Sequence, residues 1–241
     1  MKLLVISDIH SNIHCLNAVL EREKDADRIY CAGDFVDVGL YPKETVHRLR
    51  ELKVPAVRGN HDDKIIRIFR SGPPDEDQEW TFPIMNAQHL DEEDIEYLDT
   101  LPEQIRFTAD GVSYVMQHLY QGYQSIETET EFLEFWDDPT ETVDRSQKKV
   151  AIFGHTHRPA IRIIREDCLV VNPGSVGYNR PSDPSIATRY LTITDGEIEL
   201  KDLHHDHCMS RPELGREFLR RHGHLRGPAP LSGSLQGSPG E

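Results

Sequence analysis

Apolar residues in this chain fall into short runs, and most runs stop at a cluster of polar residues. Leu3–Ile6 is continuously apolar, the pattern of a strand buried on both faces. It ends in Ser7-Asp8-Ile9-His10-Ser11-Asn12, and then Ile13, Leu16, Ala18, Val19 and Leu20 give the face of a helix. Arg28–Ala32 predicts a second strand, ending in Gly33-Asp34-Phe35-Val36-Asp37. Pro42–Leu52 predicts a helix, with Pro42 suited to its first turn and Val46, Leu49 and Leu52 on one side. Val54–Val57 predicts a third strand, ending in Arg58-Gly59-Asn60-His61-Asp62-Asp63, with a helix over Ile65–Arg70. Successive strand–helix units predict a sheet with helices packed on it, and in open sheets of this kind ligands bind outside the carboxyl ends of the strands.

The period then changes. The acidic run Asp91–Asp94 opens a helix whose buried side is Ile95, Leu98 and Leu101, stopped by Pro102. Gln104–Thr108 and Val112–Gln117 flank Asp110-Gly111 and predict a hairpin whose second strand runs into His118. Ser125–Asp144 is polar and acidic with Phe132, Phe135 and Trp136 on one side, a helical segment that either caps a site or is a surface excursion. Val150–Phe153 is a buried strand running into the turn Gly154-His155-Thr156-His157. Ala160–Ile164, Leu169–Val171, Ala187–Thr194 and Ile198–Leu200 form an antiparallel run, expected to make a second sheet. Arg211–Arg221 suits a terminal helix. From Gly223 onward Gly, Pro and Ser dominate, so a single domain over residues 1–222 and a disordered tail over 223–241 are expected.

Five strand ends from distant parts of the chain thus carry Asp8 and His10; Asp34 and Asp37; Asn60 and His61; His118; and His155 and His157. Asp8, His10, Asp34, Asn60, His118, His155 and His157 make seven oxygen and nitrogen donors, too many for one metal. Seven donors with one carboxylate shared suit two metals about 3.5–4 Å apart, the spacing of two-metal hydrolytic sites. Mixed N and O donors without thiolate suit Mn, Fe, Co, Ni or Zn better than Mg or Ca.

These residues resemble the calcineurin-like metallophosphoesterases, whose pattern is D-x-H, G-D-x-x-D, G-N-H-D/E, a lone His and G-H-x-H. Here it reads Asp8-Ile9-His10, Gly33-Asp34-Phe35-Val36-Asp37, Gly59-Asn60-His61-Asp62, His118 and Gly154-His155-Thr156-His157, in order over roughly residues 1–200. The resemblance implies an α/β fold, a four-layer α/β/β/α sandwich of two mixed β-sheets flanked by helices. It implies one divalent ion on Asp8, His10, Asp34 and His157 and another on Asp34, Asn60, His118 and His155, manganese being the first choice. It further implies a hydroxide formed between the ions that attacks phosphorus, with His61 as general acid and Asp37 orienting it.

Two departures narrow the substrate. Leu119 follows His118 where many members have Gly. Val38 follows Asp37 where the protein phosphatases of the family carry Arg, which argues against a protein phosphatase. The loop Asn172–Gly177 with Arg180 resembles the small bacterial and archaeal phosphodiesterase branch, and Arg180 is a candidate for a substrate phosphate. Asn12 is a candidate for the same role or for a helix N-cap. A phosphodiesterase is the expected activity; the alternatives are a phosphomonoesterase, a dinucleoside polyphosphate hydrolase, or a non-catalytic scaffold on the same fold, which would show missing ligands.

Composition agrees. The net charge of −15 over 241 residues repels a phosphate backbone or an anionic membrane, so small phosphate esters are the expected partners. The cysteines Cys15, Cys31, Cys168 and Cys208 form no C-x-x-C pair, and the N-terminal apolar run is broken at Asp8; a cytoplasmic protein is expected. His204, His205 and His207 form a His-rich stretch without a matching cluster elsewhere.

Overall fold

A computed structural model describes residues 1–73, 82–120, 126–136, 147–178 and 187–205, together with 213, 216, 217 and 220. The first strand, β1 (Lys2–Ile6), shows in miniature how the layers arise. Alternate side chains leave opposite faces of a strand. Leu3 and Val5 join the core between two sheets, with Tyr114, Met116, Val150 and Ile152. Leu4 and Ile6 join a second core with Leu16, Val19, Leu49 and Ile65 from the helices. A strand apolar at every position needs cover on both faces, and here it has it.

The elements follow in the order β1, α1 (Ile13–Arg22), β2 (Arg28–Cys31), α2 (Pro42–Glu51), α3 (Asn60–Ser71), α4 (Phe82–His89), α5 (Glu92–Thr100), β3 (Gln104–Ala109), β4 (Val112–Gln117), α6 (Glu129–Trp136), β5 (Lys148–Ile152), β6 (Ala160–Arg165), β7 (Cys168–Asn172), β8 (Thr188–Thr194) and β9 (Glu197–Leu203). One mixed sheet has the order β2-β1-β8-β9 and the other β3-β4-β5-β7-β6. Helices cover the outer face of the first. On the outer face of the second, Phe132 and Trp136 of α6 pack with Val115, Ala151 and Phe153. The result is the four-layer α/β/β/α sandwich.

Four expectations change. Val54–Val57 is not a full strand: it contributes one parallel bridge, Ala56 to Cys31, because Pro55 has no N–H to extend a ladder. The strands after His157 do not form a sheet of their own. β7 pairs in parallel with β5, β6 folds back on it, and β8 returns to pair antiparallel with β1. In this place β7 is covered on both faces: Leu169 and Val171 face the inter-sheet core while Cys168 and Val170 face α6. Of the segment 125–144, the described helix α6 is neither a cap nor an excursion but the fourth layer, and 137–144 lie outside the described residues. Finally, α3 begins at Asn60, five residues before the predicted start, which places Asn60 and His61 in its first turn. The expected tail and most of the His-rich stretch lie outside the described residues. No described helix is long and apolar enough to cross a membrane.

Candidate metal centre

The loops after β1 and β2, the start of α3 and the ends of β4 and β5 meet at one end of the sandwich. Main-chain bonds tie them together: Asp8 N to Gly33 O at 2.9 Å, Ile9 N to Asp34 O at 2.9 Å and Gly154 N to His118 O at 3.0 Å. The chain is bent sharply here. Asp8, His10, Ser11, Asp34, Asp37, Val38, His155 and His157 all have positive φ, between 50° and 73°. Short polar residues tolerate this region, but Val38 is a genuine outlier. Such strain is held only where the surroundings over-determine it; Val38 N donates to Asp37 Oδ1 at 2.7 Å, and its side chain packs on Tyr178 and Phe82. The loops also approach too closely for side chains at two glycines. A Cβ on Gly59 would lie 2.1 Å from Asp34 Oδ1, and one on Gly154 would lie 2.1 Å from Ser7 Oγ.

Asp62 sets the shape of the second loop. It is fully buried at the third position of α3. Its Oδ1 accepts from Phe35 N (2.8 Å) and Val36 N (3.2 Å), and its Oδ2 from Asp34 N (3.0 Å) and Gly59 N (2.9 Å). One carboxylate thus folds residues 34–36 around the helix start. Burial and the Asp34 charge push Asp62 up, to about 7, while the backbone donors oppose the shift. All four partners are donors, so the ionised form is the one that fits.

Inside the loops, carboxylate, carboxamide and imidazole atoms converge. His10 Nδ1 lies 3.3 Å from Val36 O and His157 Nδ1 lies 2.9 Å from Tyr178 O. A carbonyl only accepts, so each Nδ1 carries a hydrogen and Nε2 is the ring atom turned into the loops. These two Nε2 atoms face each other at 3.1 Å. Burial, with His157 beside it, pushes His10 down to about 3, so its ring is neutral. Asp8 Oδ1 is 3.2 Å from His157 Nε2. On the other side, His118 Nδ1 lies 2.6 Å from Ala32 O, turning its Nε2 toward Asn60 Oδ1 (3.1 Å) and Asp34 Oδ2 (3.1 Å). Asn60 Oδ1 is 2.8 Å from His155 Nδ1. Among the described residues, the buried side-chain oxygens without a hydrogen-bond partner are Asp8 Oδ1 and Asp34 Oδ2.

Unpaired buried carboxylate oxygens are costly, and bare imidazole nitrogens beside them repel. A cation in each group of acceptors resolves both. Asp8, His10 and His157 form one group able to hold a metal, and Asp34, His118 and His155 another. The pull on positive charge shows in His118: burial opposes its protonation, yet the Asp34 carboxylate pushes it up to about 10. Asp34 is itself held well below the usual carboxylate range, because its attraction to His118 overcomes the burial that opposes its charge. The donor set therefore fits divalent metal ions.

His61 stands beside this cluster. Its backbone N donates to Asp34 Oδ1 at 2.9 Å, and its ring Nδ1 lies 2.7 Å from Asp37 Oδ2. Lys64, one turn along α3, donates to the same oxygen at 3.1 Å. Burial alone would lower His61, but the Asp37 bond raises it above its ordinary value. Asn12 takes the N-cap role: it accepts from Cys15 N (3.2 Å) at the start of α1 and donates to Gly177 O at 2.9 Å. Arg180 lies outside the described residues.

A family model described as the calcineurin-like phosphoesterase superfamily domain matches residues 1–195. This chain belongs to that superfamily. The calcineurin-like phosphoesterases are metal-dependent, in line with the donor groups around Asp34. Among relatives, the uncharacterised protein MJ0912 of Methanocaldococcus jannaschii is 28% identical, over 84% of this chain and 87% of that one. The fold is shared with a metallophosphoesterase from Sphaerobacter thermophilus, at a TM-score of 0.68, 23% identity and coverage of 92% and 95% of the two chains. It is shared also with the hypothetical protein PH1004 of Pyrococcus horikoshii, at a TM-score of 0.69, 16% identity and coverage of 93% and 94%.

Proposed function

We propose that this calcineurin-like phosphoesterase is a dinuclear metal-dependent phosphodiesterase acting on small phosphodiesters, nucleotides among them. Asp8, His10, Asp34 and His157 hold one divalent ion and Asp34, Asn60, His118 and His155 the other. The observation that carries this reading is the position of Asp34 Oδ2. It lies 3.8 Å from His10 Nε2 in one group and 3.1 Å from His118 Nε2 in the other, within reach of both. When bound, such ions would supply Lewis-acid stabilisation of phosphoryl charge and lower the pKa of a nucleophilic water. Manganese suits the donors first, with iron, cobalt, nickel and zinc as alternatives.

The chain's own residues do the rest. Asp37 is buried, and despite that burial the His61 bond and the Lys64 charge keep it in the carboxylate form. It fixes His61 through Nδ1 and stabilises the imidazolium, so that Nε2 holds a proton for the leaving oxygen. The start of α3 beside His61 adds the positive end of a helix dipole, favourable to an anionic substrate. The buried thiols of Cys15, Cys31 and Cys168, with the net charge of −15, support a cytoplasmic enzyme with small-molecule substrates.

The test compares bis-p-nitrophenyl phosphate with p-nitrophenyl phosphate on metal-stripped protein refilled with Mn²⁺. The diester is expected to be the better substrate. His61→Ala is expected to slow a diester with an alkyl leaving group by roughly 10²–10⁴-fold. The loss on the nitrophenyl diester is expected to be smaller, because nitrophenolate leaves without a proton. Equal losses on both would make His61 an electrostatic contact rather than an acid. Hydrolysis of the monoester alone would make the enzyme a phosphatase. Two bound metals with neither probe hydrolysed would shift the reading to a dinucleoside polyphosphate hydrolase. Failure to bind metal would leave a scaffold.

A further inference from the structure

Lys64 enters the mechanism so far only as a charge that helps keep Asp37 ionised. Lys64 Nζ sits 3.1 Å from Asp37 Oδ2, the same oxygen that is 2.7 Å from His61 Nδ1. Asp37 has one negative charge and is 1% exposed; its other oxygen already accepts from Val38 N. That single buried charge therefore answers both a ring N–H and an ammonium. An ammonium has three donors, and the bond to Asp37 uses one. The Lys64 side chain is 39% exposed, so its head stands at the mouth of the site between the buried carboxylate and solvent. Three residues after His61 on α3, it shares that residue's side of the helix, the side turned to the metal-binding groups.

Resting on the reading of this site as a phosphoesterase centre, we infer that Lys64 is a substrate-binding residue whose ammonium, held ready on Asp37 beside His61, engages an anionic oxygen of the substrate phosphate. The charge has a purpose in this chain. The position after Asp37 is Val38, whose side chain is buried against Tyr178 and Phe82 and brings no cation. Arg58, on the segment leading into α3, is turned away, bound to Asp63 and Asp99. In a protein of net charge −15, an anion arriving at the mouth needs a local cation, and Lys64 places one on the acid's side of the site. A flexible four-carbon stem lets the head move from the carboxylate to the ligand without displacing the helix.

The test uses the full chain loaded with Mn²⁺ and its Lys64→Met and Lys64→Arg variants. Binding of inorganic phosphate is measured by calorimetry, and KM and kcat are measured on bis-p-nitrophenyl phosphate. Lys64→Met is expected to weaken phosphate binding and raise KM, each roughly 10-fold, the loss of one charge-assisted contact. Its kcat should stay within about threefold, Lys64→Arg should recover most of the affinity, and the difference should shrink at high salt. Phosphate bound equally by wild type and Lys64→Met, or a fall in kcat with KM unchanged, would overturn the inference and leave Lys64 as support for Asp37. No phosphate binding by the wild type would overturn the phosphoesterase reading and this inference with it. The wild-type measurement judges the first and the ratio between variants the second.

Discussion

An Asp34→Asn variant is expected to lose diester hydrolysis on the order of 10³-fold or more and to bind at most one metal ion tightly. Asparagine has nearly the same shape, and its carbonyl still accepts from His61 N, as Asp34 Oδ1 does at 2.9 Å. Only the charge and the second oxygen change. That oxygen faces His10 Nε2 and His118 Nε2, so its replacement by an amide removes the one group able to belong to both clusters. The loops should keep their shape, because their main-chain bonds and Asp62 are untouched. Metal content by elemental analysis and activity are therefore expected to fall together, while the circular dichroism of the stripped protein stays that of the wild type; its melting temperature shifts only through the lost attraction between Asp34 and His118. A variant that keeps two ions and most of its activity would mean that Asp34 is not shared.

Asp62 has the largest expected effect on stability. Removing it in Asp62→Ala leaves the backbone N–H groups of Asp34, Phe35, Val36 and Gly59 without acceptors in a fully buried place. The expected loss is on the order of 4 kcal/mol in denaturant unfolding, with the metal site lost as residues 34–36 relax. Asp62→Asn is the sharper test. Each carboxylate oxygen accepts two N–H groups, so either orientation of an amide sets its NH₂ against two donors. Asparagine is therefore expected to destabilise the fold nearly as much as alanine does. A near-neutral Asp62→Asn would show that the residue fills space rather than organising the loop.

The parts of the site that were legible in the sequence are those carried by short local strings. Asp8-Ile9-His10 and Gly154-His155-Thr156-His157 directly follow apolar strands, and the structure brings them within contact, His157 Nε2 lying 3.2 Å from Asp8 Oδ1. The strands were legible for the same reason: Leu3–Ile6 and Val150–Phe153 are apolar at every position, which few elements other than doubly covered strands require. Strand partnership was not legible. Nothing local in Leu169–Val171 says that it pairs with β5 rather than with β8; that choice is made by which faces remain open when the two sheets close.

Three supporting residues escaped for different reasons. Asp62 lay inside the motif and carried a usable signal, since an acidic side chain at the third helical position is the mark of a capping interaction. Lys64 could have been found from its i+3 spacing to His61. Asn86 gave no signal, because α4 itself was not predicted. Yet its carboxamide is fully buried and accepts from Ser11 Oγ and Asp37 N while donating to Gly39 O and Phe82 O. It ties α4 to the loops that carry His10 and Asp37, a role set wholly by tertiary packing.

The central claim is that two divalent ions share Asp34, and the most direct measurement is anomalous diffraction at the manganese edge from crystals of the Mn²⁺-loaded protein. The account predicts two peaks per chain, about 3.5–4 Å apart, with Asp34 between them, Asp8, His10 and His157 on one side and Asn60, His118 and His155 on the other. A single peak, or two peaks that do not share Asp34, would contradict it.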